Sequence, residues 1–381
     1  MRFGHSLSLS ITTLLFTATW ATAQVGNVLE VRMPIEPSPV PAEGQVHLAY
    51  ELHVTNLSRR DATLTGVQAV VTDRGTALAT HEGVELARQL RIAGSGDVPT
   101  NDHGVALDAG ATAHVYMWLS VEPRATPSSI THRIRLFQVS AEGDTTHHEF
   151  ETDPLGIGPD AVVISPPVRG GDWWIVDGQG RRFNDTGHRR ALIAVGGNAH
   201  IAQRFARDLG KEVDGIALVP GGVGNAAFYG WGQEVVAVAD GVVVGIQDGV
   251  PENEFGVPSP IQLTPRPLLG NSVVLDIGDG RYAVYGHLQP GNMRIEVGNR
   301  VQTGDALGLV GNSGSSSGPH LHFQITDDPS PLGGEGLPFA IDRFDVIGRR
   351  MGFQTPRETL PSERREGELL VENQIVRFPG G

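Results

Sequence analysis

Between Val46 and Val54 the sequence VHLAYELHV switches between apolar and polar at almost every residue. A period of two belongs to a strand with one buried face; a helix would scatter such a pattern around its axis. The signature returns, broken by turns, in ATLTGVQAVVTD, TAHVYMWLSV and ITHRIRLFQVS. Short strands at this spacing predict an all-β chain whose residues 24–160 form an immunoglobulin-like β-sandwich. Its histidines His47, His53, His81, His103 and His114 fall mostly at polar positions of the alternation, which predicts solvent-facing rings. His147 and His148 are adjacent, so a strand turns them to opposite faces and they cannot easily share an ion.

The chain has 381 residues, enough for two or three domains. Residues 1–23 combine a basic Arg2, an apolar middle and the small-residue stretch Ala21-Thr22-Ala23, which predicts a signal peptide cleaved after Ala23. The apolar part, from Ile11 to about Thr19, is too short to span a bilayer core of about 30 Å, and no other stretch approaches that length. The expectation is export to a periplasmic or extracellular location, with no stable membrane insertion after cleavage. There is no cysteine, so disulfides are excluded and any metal must be held by histidine and carboxylate. The net charge is −14 and Lys211 is the only lysine, which argues against nucleic acid and anionic membrane surfaces as partners.

The chemistry concentrates between Asn271 and Ile325. There NSVVLDIGDGRYAVYGHL leads through a turn-rich connection to VQTGDALGLVGNSGSSSGPHLHFQI. On a strand, His320 and His322 project side by side, about 6.5 Å apart, with Leu321 turned into the opposite layer. One imidazole can hold a metal while the other faces whatever the metal binds. Tyr285-Gly286-His287-Leu288 closes an earlier apolar run and offers a third ring. The loop from Gly311 to Gly318 brings little side-chain bulk, as the floor of a groove requires.

GNSVVLDIGDGRYAVYGHL, VGNRVQTGDALGLVGNSG and GPHLHFQI, in this order, resemble the lysostaphin-type zinc endopeptidases, a family that includes LytM-like and beta-lytic peptidases. EVVAVADGVVVGIQDG is similar to the strand pair that opens the family's core sheet. The resemblance implies an antiparallel β-sheet peptidase domain over residues 170–345, leaving 346–381 as a C-terminal appendage. It implies one Zn2+ per chain, His322 as a ligand, and His287 and His320 as the catalytic pair that handles the proton of a water and the developing oxyanion. Peptide bonds of peptidoglycan stem peptides or cross-bridges are the implied substrate. The family's first ligands are a histidine and, four residues on, an aspartate. Asp208 fits the aspartate, but Arg204 stands where the histidine belongs. His200 and His188 are the alternatives. On one extended strand His200 would lie about 26 Å from Asp208. A hairpin about residue 197 would set His188 opposite residue 206, where cross-strand and diagonal neighbours lie about 5–8 Å apart. His188, Asp208 and His322 are therefore the expected ligand set, with His200 kept as the rival.

A second class of reading is a related but catalytically impaired module that binds wall or activates an amidase; its mark would be a missing ligand. A biotinyl or lipoyl carrier needs a lysine within the scaffold, and Lys211 lies outside it. A serine hydrolase needs a strand–serine–helix setting that GNSGSSSG lacks.

Overall fold

The computed structural model describes residues 28–380 apart from 96, 97, 99, 102, 179–186, 256–267 and 353–354. The signal-peptide reading lies outside the described residues. Among the described residues the one α-helix is Gly83–Arg88, and no helix is long and apolar enough to cross a membrane. The regular structure of the described residues is otherwise strands, as the period-two patterns predict, with a few short 3-10 turns.

Four long strands frame the N-terminal part: β1 (Gln45–Asn56), β2 (Ala62–Val71), β3 (Thr112–Val121) and β4 (Ser129–Val139). β1 pairs with β3 in one antiparallel sheet and β2 with β4 in another. Leu48, Leu52 and Val54 from β1 meet Val67, Val115 and Ile134 in a shared core, so the sheets pack as a sandwich. The expected solvent-facing histidines are a correction: His47 is only 2% exposed and His114 5%. The polar face of β1 and β3 is covered by the second half of the chain, with Ala49 and Trp118 packed into that half's core. Buried polar groups need partners, and His47 has Ser120, Ala42 and the Trp118 indole N–H around its ring.

The second half is organised on one large sheet. Its strands are β5 (Gly171–Asp177), β6 (Arg207–Glu212), β7 (Gly241–Gln247), β8 (Asn271–Asp276), β9 (Tyr282–Leu288), β10 (Leu321–Thr326), β11 (Phe339–Arg349) and β12 (Gln374–Phe378). They run in the spatial order β11-β12-β5-β6-β10-β9-β8-β7. Leu321, Phe323 and Ile325 of β10 point into the main core with Trp173, Tyr285 and Phe344. Full burial of an apolar side chain of this size contributes roughly 1.5–3 kcal/mol.

Residues 374–378, which fall in the expected appendage, belong to the large sheet. β12 is an inner strand, hydrogen-bonded to β11 on one side and β5 on the other, because IVRF alternates Val376 and Phe378 into the main core. Residues 162–164 add a parallel strand beyond β11, so the sheet also outruns residue 170. The two strands of EVVAVADGVVVGIQDG do not pair with each other: residues 234–236 pair with 306–309, and β7 pairs with β8.

Candidate metal centre

Three adjacent strands set the site. In register, Asp208 on β6 lies opposite His322 on β10, and His322 lies opposite Gly286 on β9. The period-two rule sends His322 and Gln324 to the face away from the Leu321/Phe323 core. Tyr285 pairs with Phe323 and shares that core face, so strict alternation would send the ring of His287 into the core as well. It does not, because His287 has φ +62°, and this left-handed residue swings its ring back toward the site. Tyr285 itself sits in the core and accepts a hydrogen bond from Val238 N–H at 3.0 Å.

The loop Gly311–Gly318 is not loose. Ser313 and Asn312 are fully buried. Ser313 Oγ accepts from Asn271 N–H at 2.9 Å and donates to Leu288 O at 2.8 Å. The chains touch here: a Cβ on Gly270, whose φ is +61°, would lie 2.4 Å from Ser313 Oγ. This close approach aims the Ser313 carbonyl at His287, whose Nδ1–H donates to it at 2.7 Å. His320 is held likewise, Nδ1–H donating to Gly318 O at 2.8 Å. Both rings therefore keep Nε2 clear of these backbone bonds, and they lie against each other with centroids 4.8 Å apart.

His188 opens a 3-10 turn, His188–Arg190. Its Nε2 lies 3.1 Å from Asp208 Oδ2 and 3.9 Å from Asp177 Oδ2. The predicted hairpin exists only as 193–195 paired with 198–200. The stretch after His200 is not extended but turns, with Arg204 N–H donating to Ile201 O and Ala206 N–H to Gln203 O. His188 therefore meets Asp208 from a turn rather than across a hairpin. The structure directs His200 elsewhere, with Nδ1 3.2 Å from Glu335 Oε1.

One ligand atom each from His188, Asp208 and His322 lies within 4.8 Å of the other two. His322 Nε2–H donates to Gln324 Oε1 at 2.8 Å, while the amide of Gln324 donates to Pro331 O at 2.7 Å. That orientation fixes the proton on Nε2 and turns the lone pair of Nδ1 toward Asp208 Oδ1, 2.9 Å away. Two acceptors at that separation need a proton or a metal cation between them. Two imidazoles and one carboxylate are also a zinc donor set that leaves a coordination position open. The residues thus fit zinc.

Without a cation, protons answer the same charge. Burial disfavours the charged form of His188, but the Asp208 and Asp177 carboxylates outweigh it and push its pKa up to about 9. Asp208 is likewise buried, yet His188 and His320 hold it well below the usual carboxylate range. Burial opposes charge on His320 too, and Asp208 raises its pKa regardless. His287 is lowered well below the ordinary imidazole value by burial and then by His320 and His322.

Sequence reasoning passed over Asp177 and Gln324. Gln324 was readable, since it stands two residues past His322 on the same strand face. Asp177 had no such signal, because its place beside His188 depends on the pairing of β5 with β6, where it sits opposite Asp208.

Residues 222–333 match the family model described as peptidase family M23. The match takes in His287, His320 and His322, while His188 and Asp208 lie before it. The endolysin of Staphylococcus phage 2638A is 46% identical over 59 residues, which is 15% of this chain and 12% of that protein. The peptidoglycan DD-endopeptidase ShyA of Vibrio cholerae is 31% identical over 90 residues, 24% of this chain and 20% of that protein. The chain therefore spans at most a fifth of either curated relative's length. Among solved structures, the catalytic domain of lysostaphin from Staphylococcus simulans is similar at 23% identity and TM-score 0.21, over 32% of this chain and 86% of that one.

Proposed function

We propose that the chain, whose residues 222–333 match the model of peptidase family M23, is an exported zinc endopeptidase that hydrolyses peptide bonds in peptidoglycan stem peptides or cross-bridges. The observation that carries this reading is the convergence of His188, Asp208 and His322 beside the second pair, His287 and His320. The three would hold the ion. When bound there, zinc supplies a Lewis acid for a carbonyl oxygen and lowers the pKa of water toward neutrality.

The remaining chemistry belongs to the chain. His287 donates through Nδ1 to the Ser313 carbonyl, so its Nε2 is a lone pair able to take a proton from the attacking water. His320 is tied through Nδ1 to Gly318 and points Nε2 at the ligand set, 3.3 Å from Asp208 Oδ2. When protonated it donates toward negative charge developing on the carbonyl oxygen. Neither ring needs to reorganise, because backbone carbonyls fix both tautomers.

The test is digestion of purified peptidoglycan with the full chain, with and without a zinc chelator, and mass spectrometry of the products. New amine termini within the peptide moiety, abolished by chelator and restored by zinc, are expected. Intact peptides with zinc-loaded protein would contradict the reading.

A further inference from the structure

The position four residues before Asp208 holds Arg204, which faces the sandwich instead of the metal centre. Its guanidinium, 1% exposed, lies against Glu51 of β1, itself 2% exposed, through three contacts of 2.8–3.1 Å. The other first-ligand segment also leans on the sandwich. Arg189, directly after His188, is 5% exposed. Its guanidinium lies 5.9 Å from the ring centroids of both Tyr116 and Trp118 on β3 and donates to Gln89 Oε1 at 3.0 Å. Tyr116 Oη donates to Arg190 O at 3.4 Å. In register, Glu51 lies opposite Tyr116, so a single outer face of the sandwich carries both holds.

We infer that the N-terminal sandwich is a working part of the metal centre: its Tyr116/Gln89 face latches Arg189 and so sets the turn that presents His188. A ligand on a strand is placed by the sheet, as Asp208 and His322 are. A ligand on a three-residue turn has no ladder behind it, and its ring is only as fixed as the residues beside it. Here those residues are two arginines held by cation–π contact and by one shared amide oxygen. Arg189 is thus a positioning residue for His188, and the sandwich makes a metal-affinity element as well as a covering surface. This rests on the proposed ligand role of His188.

The experiment measures the zinc dissociation constant of the full chain by chelator competition. It compares wild type, Arg189→Ala, His188→Ala and the double variant. Loss of an outer partner that orients a ligand weakens metal binding roughly 10–100-fold, and Arg189→Ala is expected in that range. The effect should vanish in the His188→Ala background, since the latch acts only through His188. An unchanged constant in Arg189→Ala, or an equal loss in both backgrounds, overturns the latch while leaving the ligand set standing. Zinc binding by His188→Ala as tight as wild type overturns the ligand assignment and the latch together. Should Arg189→Ala not fold, Gln89→Ala removes the shared acceptor and is read by the same criteria.

Discussion

His322 donates its Nε2 proton to Gln324 Oε1 across 2.8 Å, and this contact decides which nitrogen is left for a cation. Gln324→Leu is expected to free the ring and weaken zinc binding about 10–100-fold, with little change in fold. Gln324→Glu should keep the contact and much of the affinity. Chelator competition on both variants checks the prediction.

Gly270→Ala puts a methyl 2.4 Å from Ser313 Oγ at a residue with φ +61°. The backbone conformation alone costs about 1–3 kcal/mol, and the clash displaces the carbonyl that holds His287. The variant should unfold at lower denaturant and lose hydrolysis, while zinc binding survives because none of the three ligands touches Ser313. Loss of zinc with retained hydrolysis would be the opposite pattern.

Arg204→Ala leaves the carboxylate of Glu51 buried without its guanidinium. Breaking one side of a buried pair costs roughly 3–5 kcal/mol. Urea unfolding should show that loss, and Glu51→Gln a smaller one, since Arg204 keeps Glu335 at 2.6 Å.

Much of the strand framework could be read in the sequence because period two is local: Val46–Val54 carries it openly, and Leu321/Phe323 against His322 follows from adjacent positions. What could not be read depends on distant pairing. Nothing in IVRF says that residues 374–378 slot between β11 and β5. Nothing in IAQRFA marks a turn, because Arg204 makes its ion pair with Glu51, 153 residues away. The polar face of β1 looked solvent-bound because alternation distinguishes two faces without saying what covers the second. His287 faces the site through a single left-handed residue, which no pattern of apolar and polar residues announces.

Acid should weaken the sandwich through His132. The ring is fully buried, with Nε2 2.7 Å from Tyr50 Oη, and burial lowers its pKa from 6.5 to about 4. The folded pKa lies below the unfolded one, so unfolding takes up a proton between those values. This histidine costs nothing above pH 6.5; stability falls as pH drops from 6.5 toward 4 and levels off below. The loss is bounded at about 3–4 kcal/mol, at about 1.4 kcal/mol per pH unit. His132→Gln can still hydrogen-bond with Tyr50 and cannot titrate, so its urea midpoint should vary less across that range.

The most direct test of the metal centre is zinc stoichiometry by elemental analysis of the purified full chain, beside His188→Ala and His200→Ala. The account predicts one zinc in wild type and in His200→Ala, and none retained by His188→Ala. Zinc lost from His200→Ala but kept by His188→Ala, or no zinc in reloaded wild type, would contradict it.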